Sequence, residues 1–441
     1  MEDFIHTLNA VIWSPALVAF CLGAGLFFSI KSRFVQLRLI PEMWRLLFQK
    51  KEDEIGLSSF QALSLTLAGR VGTGNIAGVA TAICFGGPGA LFWMWVVAFL
   101  GASSAFVEST LGQIYKERIE GQYRGGPAFY IERGLKLKAY AWAFAIVTIL
   151  ASCFFCPGVQ SNSIALAWNE AFGLDAEVTA AIVASITCFV IVGGLRRIAT
   201  FTSWVVPFMA QAYIVVALII VGVNWEQIPA VMTLIVNSAF GFDSLTGGML
   251  GAAIAWGVKR GIYSNEAGQG TGPHASSAAA VSHPAKQGLV QAFSVYIDTL
   301  FVCSATGFMI LMTGWDGECD LIDPMCGSGT IAIEAALIAR GIAPGVFRKE
   351  YAFEKWPDFD KEMFDRIYND ESQEREFTHK IYGYDINRNA VDIATRNVKA
   401  AGLSKEIEIA QQDFHKFTQP AEKSIIITNP PYGERISTPD L

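Results

Sequence analysis

The first 315 residues of this chain have few charged side chains. They contain 18 Lys+Arg and 17 Asp+Glu, whereas the remaining 126 residues contain 15 Lys+Arg and 23 Asp+Glu. So little charge, combined with long apolar runs, excludes an ordinary water-soluble domain for the first part and is typical of a segment buried in lipid. The second part has the charge density of a soluble domain. We therefore predict a polytopic membrane domain at 1–315 and a soluble domain at 316–441.

A disulfide framework is also absent. Six of the eight cysteines lie in apolar segments, and although Cys153 and Cys156 are spaced as CxxC, they have no redox or metal context. We predict a packing role for this pair. The second part, with a net charge of −8, has no basic tract that would bind a nucleic-acid backbone. Glu2 and Asp3 precede the first apolar run, where a cleavable signal peptide would have basic residues, so we expect none.

The first part contains eight apolar runs that are long enough to cross a bilayer, for which about 20 residues are needed. They lie near 11–30, 61–85, 90–115, 139–167, 176–195, 201–223, 231–257 and 289–313. The connections after the odd-numbered runs are rich in Lys and Arg, and those after the even-numbered runs are poor in them. Because positively charged loops stay in the cytoplasm, we predict a multi-pass plasma-membrane protein with an extracytoplasmic N-terminus. Eight crossings would then bring the soluble part to the extracytoplasmic face.

Two of these runs contain residues that interrupt a helix. In the second run, Arg70 precedes a Gly-Thr-Gly-Asn cluster at 72–75, and each glycine weakens a helix by about 1 kcal/mol relative to alanine. In the seventh run, the segment 239–243 ends in the intramembrane carboxylate of Asp243. Glycines can simply allow close helix packing. Alternatively, a broken helix can expose amides and carbonyls that bind a carboxylate and a sodium ion. For the second run we favour a binding site.

Four motifs of the first part resemble those of the alanine or glycine:cation symporter family, also called sodium:alanine symporters. They are RVGTGNIAGVA at 70–80, GGPAFY at 125–130, QSNS at 160–163 and RGIYSNEAG at 260–268. The resemblance covers 1–314. It implies an all-α membrane bundle with the leucine-transporter-type fold, in which one additional helix precedes ten core helices. It also implies that a small neutral amino acid, alanine or glycine, moves together with Na⁺.

The same resemblance implies a set of substrate-binding positions. They are Thr73, Gly74, Asn75, Gln160 and Phe240. The backbone amides of Thr73 and Gly74 would meet the substrate carboxylate, Asn75 and Gln160 would supply polar contacts, and Phe240 would form an apolar wall. From the residues alone, an ordinary interhelical hydrogen bond explains Gln160 nearly as well.

The resemblance also implies that the backbone carbonyls of Ala68 and Val71 bind sodium. The similarity stops after the seventh core helix, before the eighth, which supplies hydroxyl ligands to the sodium ion in this fold. We therefore expect a truncated carrier, joined to an unrelated soluble segment as a chimera.

The soluble part has the sequence pattern of a parallel sheet with polar residues at one edge. An apolar strand ends at Asp323 and is followed by a glycine turn that contains Gly327 and Gly329, and then by a helix. Two further strands end near Asp385 and Asp413, and a fourth covers 424–429. Because the carboxyl ends of parallel strands meet at one edge of a sheet, we expect these residues to form a single nucleoside site.

This ordered set resembles class I S-adenosylmethionine-dependent methyltransferases, so S-adenosylmethionine is the implied cofactor. DPMCGSGT at 323–330 and NPPYGER at 429–435 are similar to motifs of the ribosomal-RNA guanine-N2 methyltransferases. The resemblance implies that Asn429 and Pro430 accept hydrogen bonds from the target amine and that Tyr432 stacks on the base. It covers an α/β Rossmann-like fragment at 319–441, without the RNA-binding portion and the last strands of that family.

Two functions from different classes follow. The first is sodium-coupled symport of small neutral amino acids by a carrier embedded in the lipid bilayer. The alternative is an RNA guanine-N2 methyltransferase fragment attached to a membrane segment, with RNA as its partner only if the soluble part is active. Eight organised spans exceed what an anchor requires, so we favour the transporter.

Overall fold

The computed structural model describes residues 13–49, 53, 55–172, 174–241, 247–312, 317, 319–342, 361, 374–414, 420 and 424–427. The chain divides into two compact units, Met1–Thr313 and Gly314–Leu441. Each unit has its own clusters of buried apolar side chains.

The first unit is mostly helical. In chain order its elements are α1 Pro15–Lys31, α2 Val35–Arg38, α3 Ile40–Leu47, α4 Ser59–Arg70, α5 Thr73–Gly86, α6 Gly89–Ile114, β1 Glu117–Ile119, β2 Gln122–Arg124, α7 Pro127–Gly134, α8 Lys138–Ile149, α9 Cys156–Phe172, α10 Ala176–Ile191, α11 Gly194–Val223, α12 Ile228–Phe240, α13 Gly247–Asn265, α14 Gly272–Ser277, α15 Pro284–Val295 and α16 Ser304–Met312. The π-helical segments Leu150–Phe155 and Tyr296–Cys303 join α8 to α9 and α15 to α16.

Among the residues that the structure describes, four helical stretches are long and apolar enough to cross a membrane. They are Gly89–Ile114, Lys138–Asn169, Gly194–Val223 and Pro284–Met312. Three shorter apolar helices are Pro15–Lys31, Thr73–Gly86 and Ala176–Ile191. These helices overlap the apolar runs that the sequence presents, and they are those of a membrane protein.

The seventh predicted run is two separate helices. Helix α12 ends at Phe240 because Gly241 adopts a left-handed conformation (φ +68°) that terminates the helix, and α13 begins at Gly247. The interruption predicted within this run at 239–243 is therefore confirmed, and the run at 231–257 is not one continuous helix. Asp243 lies outside the described residues.

Helix α6 lies at the centre of the first unit, packed against α1, α12, α13, α14 and α15. Small residues allow this close approach. A Cβ atom on Gly257 of α13 would lie 2.5 Å from the Ala90 carbonyl oxygen, and one on Gly89 would lie 2.4 Å from the Ala239 backbone nitrogen. Only glycine fits where backbones are this close.

The second unit contains the predicted parallel sheet. Its elements are β3 Asp320–Asp323, α17 Thr330–Arg340, β4 Ile381–Asp385, α18 Arg388–Ala400, β5 Ile407–Gln411 and β6 Ser424–Ile426. The strand order is β5-β4-β3-β6, and all three pairings are parallel. Apolar side chains of α17, α18 and the strands form a single buried cluster. The prediction of four parallel strands with a glycine turn after the first is confirmed.

Candidate functional site

The second predicted span is broken where the sequence indicates. Helix α4 ends at Arg70, Val71 and Gly72 are extended (φ −81° and −167°), and α5 starts at Thr73. The predicted interruption is therefore confirmed.

The side chain of Asn75 determines which backbone groups the break exposes. In a continuous helix, the carbonyl of residue i accepts the amide of residue i+4. Here the Gly72 amide, which would pair with the Ala68 carbonyl, donates to Asn75 Oδ1 at 2.8 Å. The Asn75 amide, which would pair with the Val71 carbonyl, donates to the Gly72 carbonyl at 3.1 Å. Both carbonyls thereby lose their usual helical donors. Carbonyl oxygens at a broken helix are suitable ligands for Na⁺, so these two residues fit the implied ion.

Gln160 from α9 closes the other side of the break. Its Oε1 accepts the Thr73 hydroxyl at 2.8 Å and the Thr73 amide at 3.3 Å. A Cβ atom on Gly72 would lie 3.2 Å from the same oxygen. The structure thus brings together Thr73, Asn75 and Gln160, from α5 and α9, around the start of a helix. A helix start carries a partial positive charge and attracts anions.

The aromatic ring beside this group is that of Tyr263. The ring of this α13 residue lies 3.5 Å from where a Cβ atom on Gly74 would be. The sequence did not predict a role for Tyr263. Phe240 lies elsewhere: its ring centroid is 5.1 Å from that of Phe92, at the start of α6. Because α5 separates Thr73 from this region by about 20 Å of helix, Phe240 lies beyond the far end of α5.

A second break faces the first. Helix α13 ends at Asn265 and α14 begins at Gly272, and the segment between them has three left-handed residues, Glu266, Gly268 and Gly270. The Glu108 carboxylate of α6 accepts the amides of Gly268 and Gly270 at 3.1 and 3.0 Å. The signal for this break is the glycine-rich run at 265–270.

Between the two breaks lies the guanidinium group of Arg70, which is 3% exposed. It donates to the Ser294 hydroxyl through Nη1, while its Nε and Nη2 have no hydrogen-bond partner among the described residues. A cavity of about 280 Å³ is lined in part by Gly69, which precedes Arg70, and by Glu266 and Thr271 of the second break. The sequence reading also missed Asp298, a carboxylate within the last apolar run that contacts Asn75 at 2.7 Å.

In the second unit, the predicted cofactor residues lie along one edge of the sheet. Asp323 ends β3, Asp385 ends β4, and Asp413 follows β5. The Gly327 amide donates to Asp385 Oδ2 at 3.0 Å, and the Asn387 amide donates to Asp385 Oδ1 at 2.8 Å. Each carboxylate oxygen keeps a second lone pair, so Asp385 can still accept a hydroxyl group.

The glycine turn leaves room for a ligand. Gly327 and Gly329 have positive φ angles of +52° and +81°, which favour glycine. A Cβ atom on Gly327 would meet nothing within 4 Å, whereas one on Gly329 would lie 3.2 Å from Ala394 Cβ in α18. The first glycine therefore borders open space, and the second lets α18 pack against the turn. These residues fit the ribose end of S-adenosylmethionine. Asn429, Pro430 and Tyr432 lie outside the described residues.

Next to this turn is Cys326. Burial, together with the negative charges of Asp323 and Asp385, raises the pKa of its thiol to about 12. Its amide donates to the Tyr384 carbonyl at 2.7 Å, which joins the turn to the neighbouring strand. Cys326 is therefore a neutral packing residue near the candidate cofactor site.

Comparison with known proteins supports both parts of this description. Residues 1–340 match the sodium:alanine symporter family, and residues 305–440 match the RMKL-like methyltransferase domain. Solved structures similar to the chain include SMU.472, which is described as a putative methyltransferase complexed with SAH (35% identity, 30% of this chain and 35% of that chain, TM-score 0.27), and a protein of Clostridium difficile 630 that is described as a possible methylase (45% identity, 28% and 33%, TM-score 0.26). These TM-scores are too low to support a fold assignment.

Among curated relatives, YrbD of Bacillus subtilis (strain 168), whose name describes a sodium/proton-dependent alanine carrier protein, is 61% identical over 314 residues, which are 71% of this chain and 65% of that protein. The sodium/alanine symporter AgcS of Methanococcus maripaludis is 39% identical over 347 residues, which are 77% of each chain. The chain spans 65% and 66% of the first two relatives that it matches, slightly less than two thirds. With a match that covers most of its length, the chain belongs to the sodium:alanine symporter family.

Proposed function

We propose that this chain carries out sodium-coupled symport of a small neutral amino acid, alanine or glycine, across the plasma membrane. We further propose that its helices adopt the leucine-transporter-type fold, with the N-terminus outside the cell. The observation that carries the proposal is the break at Val71 and Gly72. It combines carbonyls without their usual helical donors on one side with a helix start on the other. The names of the relatives, which include alanine carriers and symporters, are consistent with it.

In this proposal the residues around the break bind either the substrate or the sodium ion. The amides of Thr73 and Gly74, at the positive end of α5, bind the substrate carboxylate. Gln160 holds the Thr73 hydroxyl and amide, and it orients the carboxylate site. Tyr263, beside Gly74, limits the space for the side chain. The carbonyls of Ala68 and Val71 hold the sodium ion, whose positive charge would attract the substrate carboxylate.

Uptake of radiolabelled alanine tests the proposal. The full chain in proteoliposomes is expected to accumulate alanine with an inward Na⁺ gradient and not with K⁺, and excess glycine should compete. Gln160→Ala should reduce uptake about tenfold, because the Thr73 backbone amide would lose its hydrogen bond to Gln160, which is worth roughly 1.5 kcal/mol. Gln227→Ala, at an exposed position outside the site, is the matched control. Equal uptake in both salts, or none in either, would contradict the proposal.

A second candidate function is methyl transfer from S-adenosylmethionine to RNA by residues 316–441. The hydrogen bond between Gly327 and Asp385, at the edge of a parallel sheet, favours it. When bound, the cofactor supplies the methyl group, and Asp385 would accept its ribose hydroxyls. Asn429 and Pro430 would accept hydrogen bonds from the target amine of the RNA, and Tyr432 would stack on the base that carries this amine. Tritiated-methyl incorporation into undermethylated ribosomal RNA tests this function. Incorporation that Asn429→Ala abolishes would support the second candidate, and no incorporation would exclude it.

A further inference from the structure

Asp298 is a carboxylate with no exposed surface inside the membrane unit. It lies in the π-helical segment Tyr296–Cys303, and its exposed fraction is 0%. Its Oδ1 accepts Asn75 Nδ2 at 2.7 Å. Its Oδ2 accepts the hydroxyls of Ser264 at 2.9 Å and Thr299 at 2.8 Å. A carboxylate at this depth is costly and is usually functional.

The orientation of the Asn75 amide shows what kind of ligand Asp298 is suited to bind. The Gly72 amide donates to Asn75 Oδ1, so that atom is the oxygen and the other is the NH₂ group. The NH₂ group therefore points at Asp298, Ser264 and Cys303, at 2.7, 3.1 and 3.2 Å. A metal site needs oxygens directed at the ion, whereas here a nitrogen donor occupies the centre of the group. The arrangement favours a proton over a metal ion.

The remaining neighbours can adapt to a proton. Hydroxyl groups rotate to act as donors or acceptors, and either atom of the Ser264 hydroxyl and Cys303 thiol pair, 3.2 Å apart, can be the donor. When Asp298 is an anion, Ser264 and Thr299 donate to it. When a proton from water forms an O–H bond on Oδ2, that group can donate to Ser264, whose own hydrogen turns toward Cys303. Among the described residues of this group, each side chain keeps a hydrogen-bond partner in both states.

We propose that Asp298 is a proton-binding residue, linked through Asn75 to the break between α4 and α5. Asn75 contacts Asp298 with its NH₂ group and caps Gly72 with its amide oxygen. The state of Asp298 is thereby transmitted to the residues that precede Thr73.

Several charged or titratable groups surround Asp298 on the elements packed against it. Arg70, at the end of α4, donates to Ser294 of α15 and interacts electrostatically with Asp298. Glu108 and Glu266 interact with Arg70 from the side of the second break. Cys303 lies on the same segment, and Tyr213 of α11 hydrogen-bonds Thr306 near it. The Arg70 cation favours the anion and burial favours the neutral acid, and this opposition allows a carboxyl group to exchange its proton.

The charge of Asp298 determines whether its protonation strengthens or weakens alanine binding. This step rests on the proposed function, in which a substrate carboxylate binds at Thr73 and Gly74. Asp298 contacts Asn75, which follows Thr73 and Gly74 in the chain. An anionic Asp298 would therefore repel that carboxylate in a medium of low dielectric constant. Protonation removes the repulsion, so alanine should bind more tightly at acidic pH. By linkage, alanine should also favour protonation of Asp298.

Infrared spectroscopy tests the protonation itself. The full chain, labelled with 4-¹³C-aspartate and reconstituted in lipid nanodiscs, is compared between pH 8.5 and pH 5.5. A C=O stretch of a buried, isotope-shifted carboxylic acid is expected at the lower pH. Asp298→Asn should remove this band. Asp175→Asn, at an exposed helix cap of the same unit, should keep it. A wild-type difference spectrum equal to that of Asp298→Asn would overturn the proposal.

Alanine binding tests the coupling separately, through thermal stabilisation of the same samples in Na⁺. The apparent dissociation constant of the wild type should fall as the pH falls, by up to about tenfold per unit for one linked proton. Asp298→Asn, which resembles the neutral acid, should bind alanine with little pH dependence and keep its Na⁺ requirement. If this variant instead loses only the Na⁺ requirement, Asp298 is a sodium ligand and the proposal is wrong. Absence of alanine binding at any pH would refute the proposed function, while the infrared band would still decide whether Asp298 binds a proton.

Discussion

At the scale of single residues, Asn75 connects three features of the membrane unit. One side chain caps Gly72, contacts Ser264 and reaches Asp298. It is 1% exposed, so none of these bonds can be replaced by bulk water. The residue type was apparent from the Gly-Thr-Gly-Asn cluster. Its partners Ser264 and Asp298 are 189 and 223 positions away in sequence, and the local pattern could not identify them.

We predict that Asn75→Ala destabilises the chain and removes its response to sodium. Buried donors and acceptors left without partners cost about 1–3 kcal/mol each, and the Gly72 amide would return to the Ala68 carbonyl. Thermal unfolding in detergent, with Na⁺ and with K⁺, measures both effects. Asn224→Ala is the matched control, because Asn224 Nδ2 bonds only to the Ile220 carbonyl of its own helix among the contacts described. An unchanged sodium-dependent shift in Asn75→Ala would contradict the role of Asn75.

A second prediction at this scale concerns Cys326. Because the pKa of its thiol is raised to about 12, the reactive thiolate is scarce at pH 8 and becomes abundant only as the pH approaches that value. Iodoacetamide at pH 8 should therefore leave Cys326 unmodified in the folded chain, as measured by mass spectrometry of its peptides. The same chain unfolded in guanidinium chloride should react fully. Rapid modification of the folded chain would show that the thiol is not buried as described.

At the scale of elements, the sequence predicted most of the helices and strands, and it predicted interruptions at 72–75 and at 239–243 that the structure contains. Glycine and threonine in a row predicted the break before Thr73, because their helix propensities are low whatever surrounds them. The interruption at 239–243 is the end of α12 at Phe240, and the break that faces Gly69 is a separate one, between Asn265 and Gly272. There the geometry depends on Glu108 of α6, a tertiary contact that no local pattern contains.

The close packing of α13 on α6 leads to a prediction with an internal control. In Gly257→Ala the new methyl group would lie 2.5 Å from the Ala90 carbonyl oxygen and 2.6 Å from Trp93 Cβ. Overpacking of this kind costs about 1–3 kcal/mol. Gly251→Ala, in the same helix, would meet nothing within 4 Å and should gain up to about 1 kcal/mol from helix propensity. Unfolding midpoints in detergent should move in opposite directions. A loss of stability in Gly251→Ala equal to that in Gly257→Ala would contradict the packing.

At the scale of the whole molecule, two chemically different units share one chain. The membrane unit carries a net charge of about +1 over residues 1–315, and the remainder carries −8. The matched regions of the two families overlap at 305–340. Each unit has a site built from its own residues, so the position of the second unit across the membrane determines whether its candidate cofactor is accessible to it.

The last prediction is therefore the topology. The basic residues Lys116, Arg118 and Arg124 predict that the β1–β2 hairpin lies in the cytoplasm. The predicted eight crossings from an outside N-terminus would place the second unit outside, away from cytosolic S-adenosylmethionine. In a chain with its cysteines replaced by serine, Lys405→Cys should react with a membrane-impermeant maleimide in intact cells, and Glu120→Cys should react only after lysis. Both positions are exposed in the structure, so access to the reagent depends on the membrane side. Protection of Lys405→Cys would place the second unit in the cytoplasm, where methyl transfer becomes feasible, and would require an odd number of crossings between the two ends.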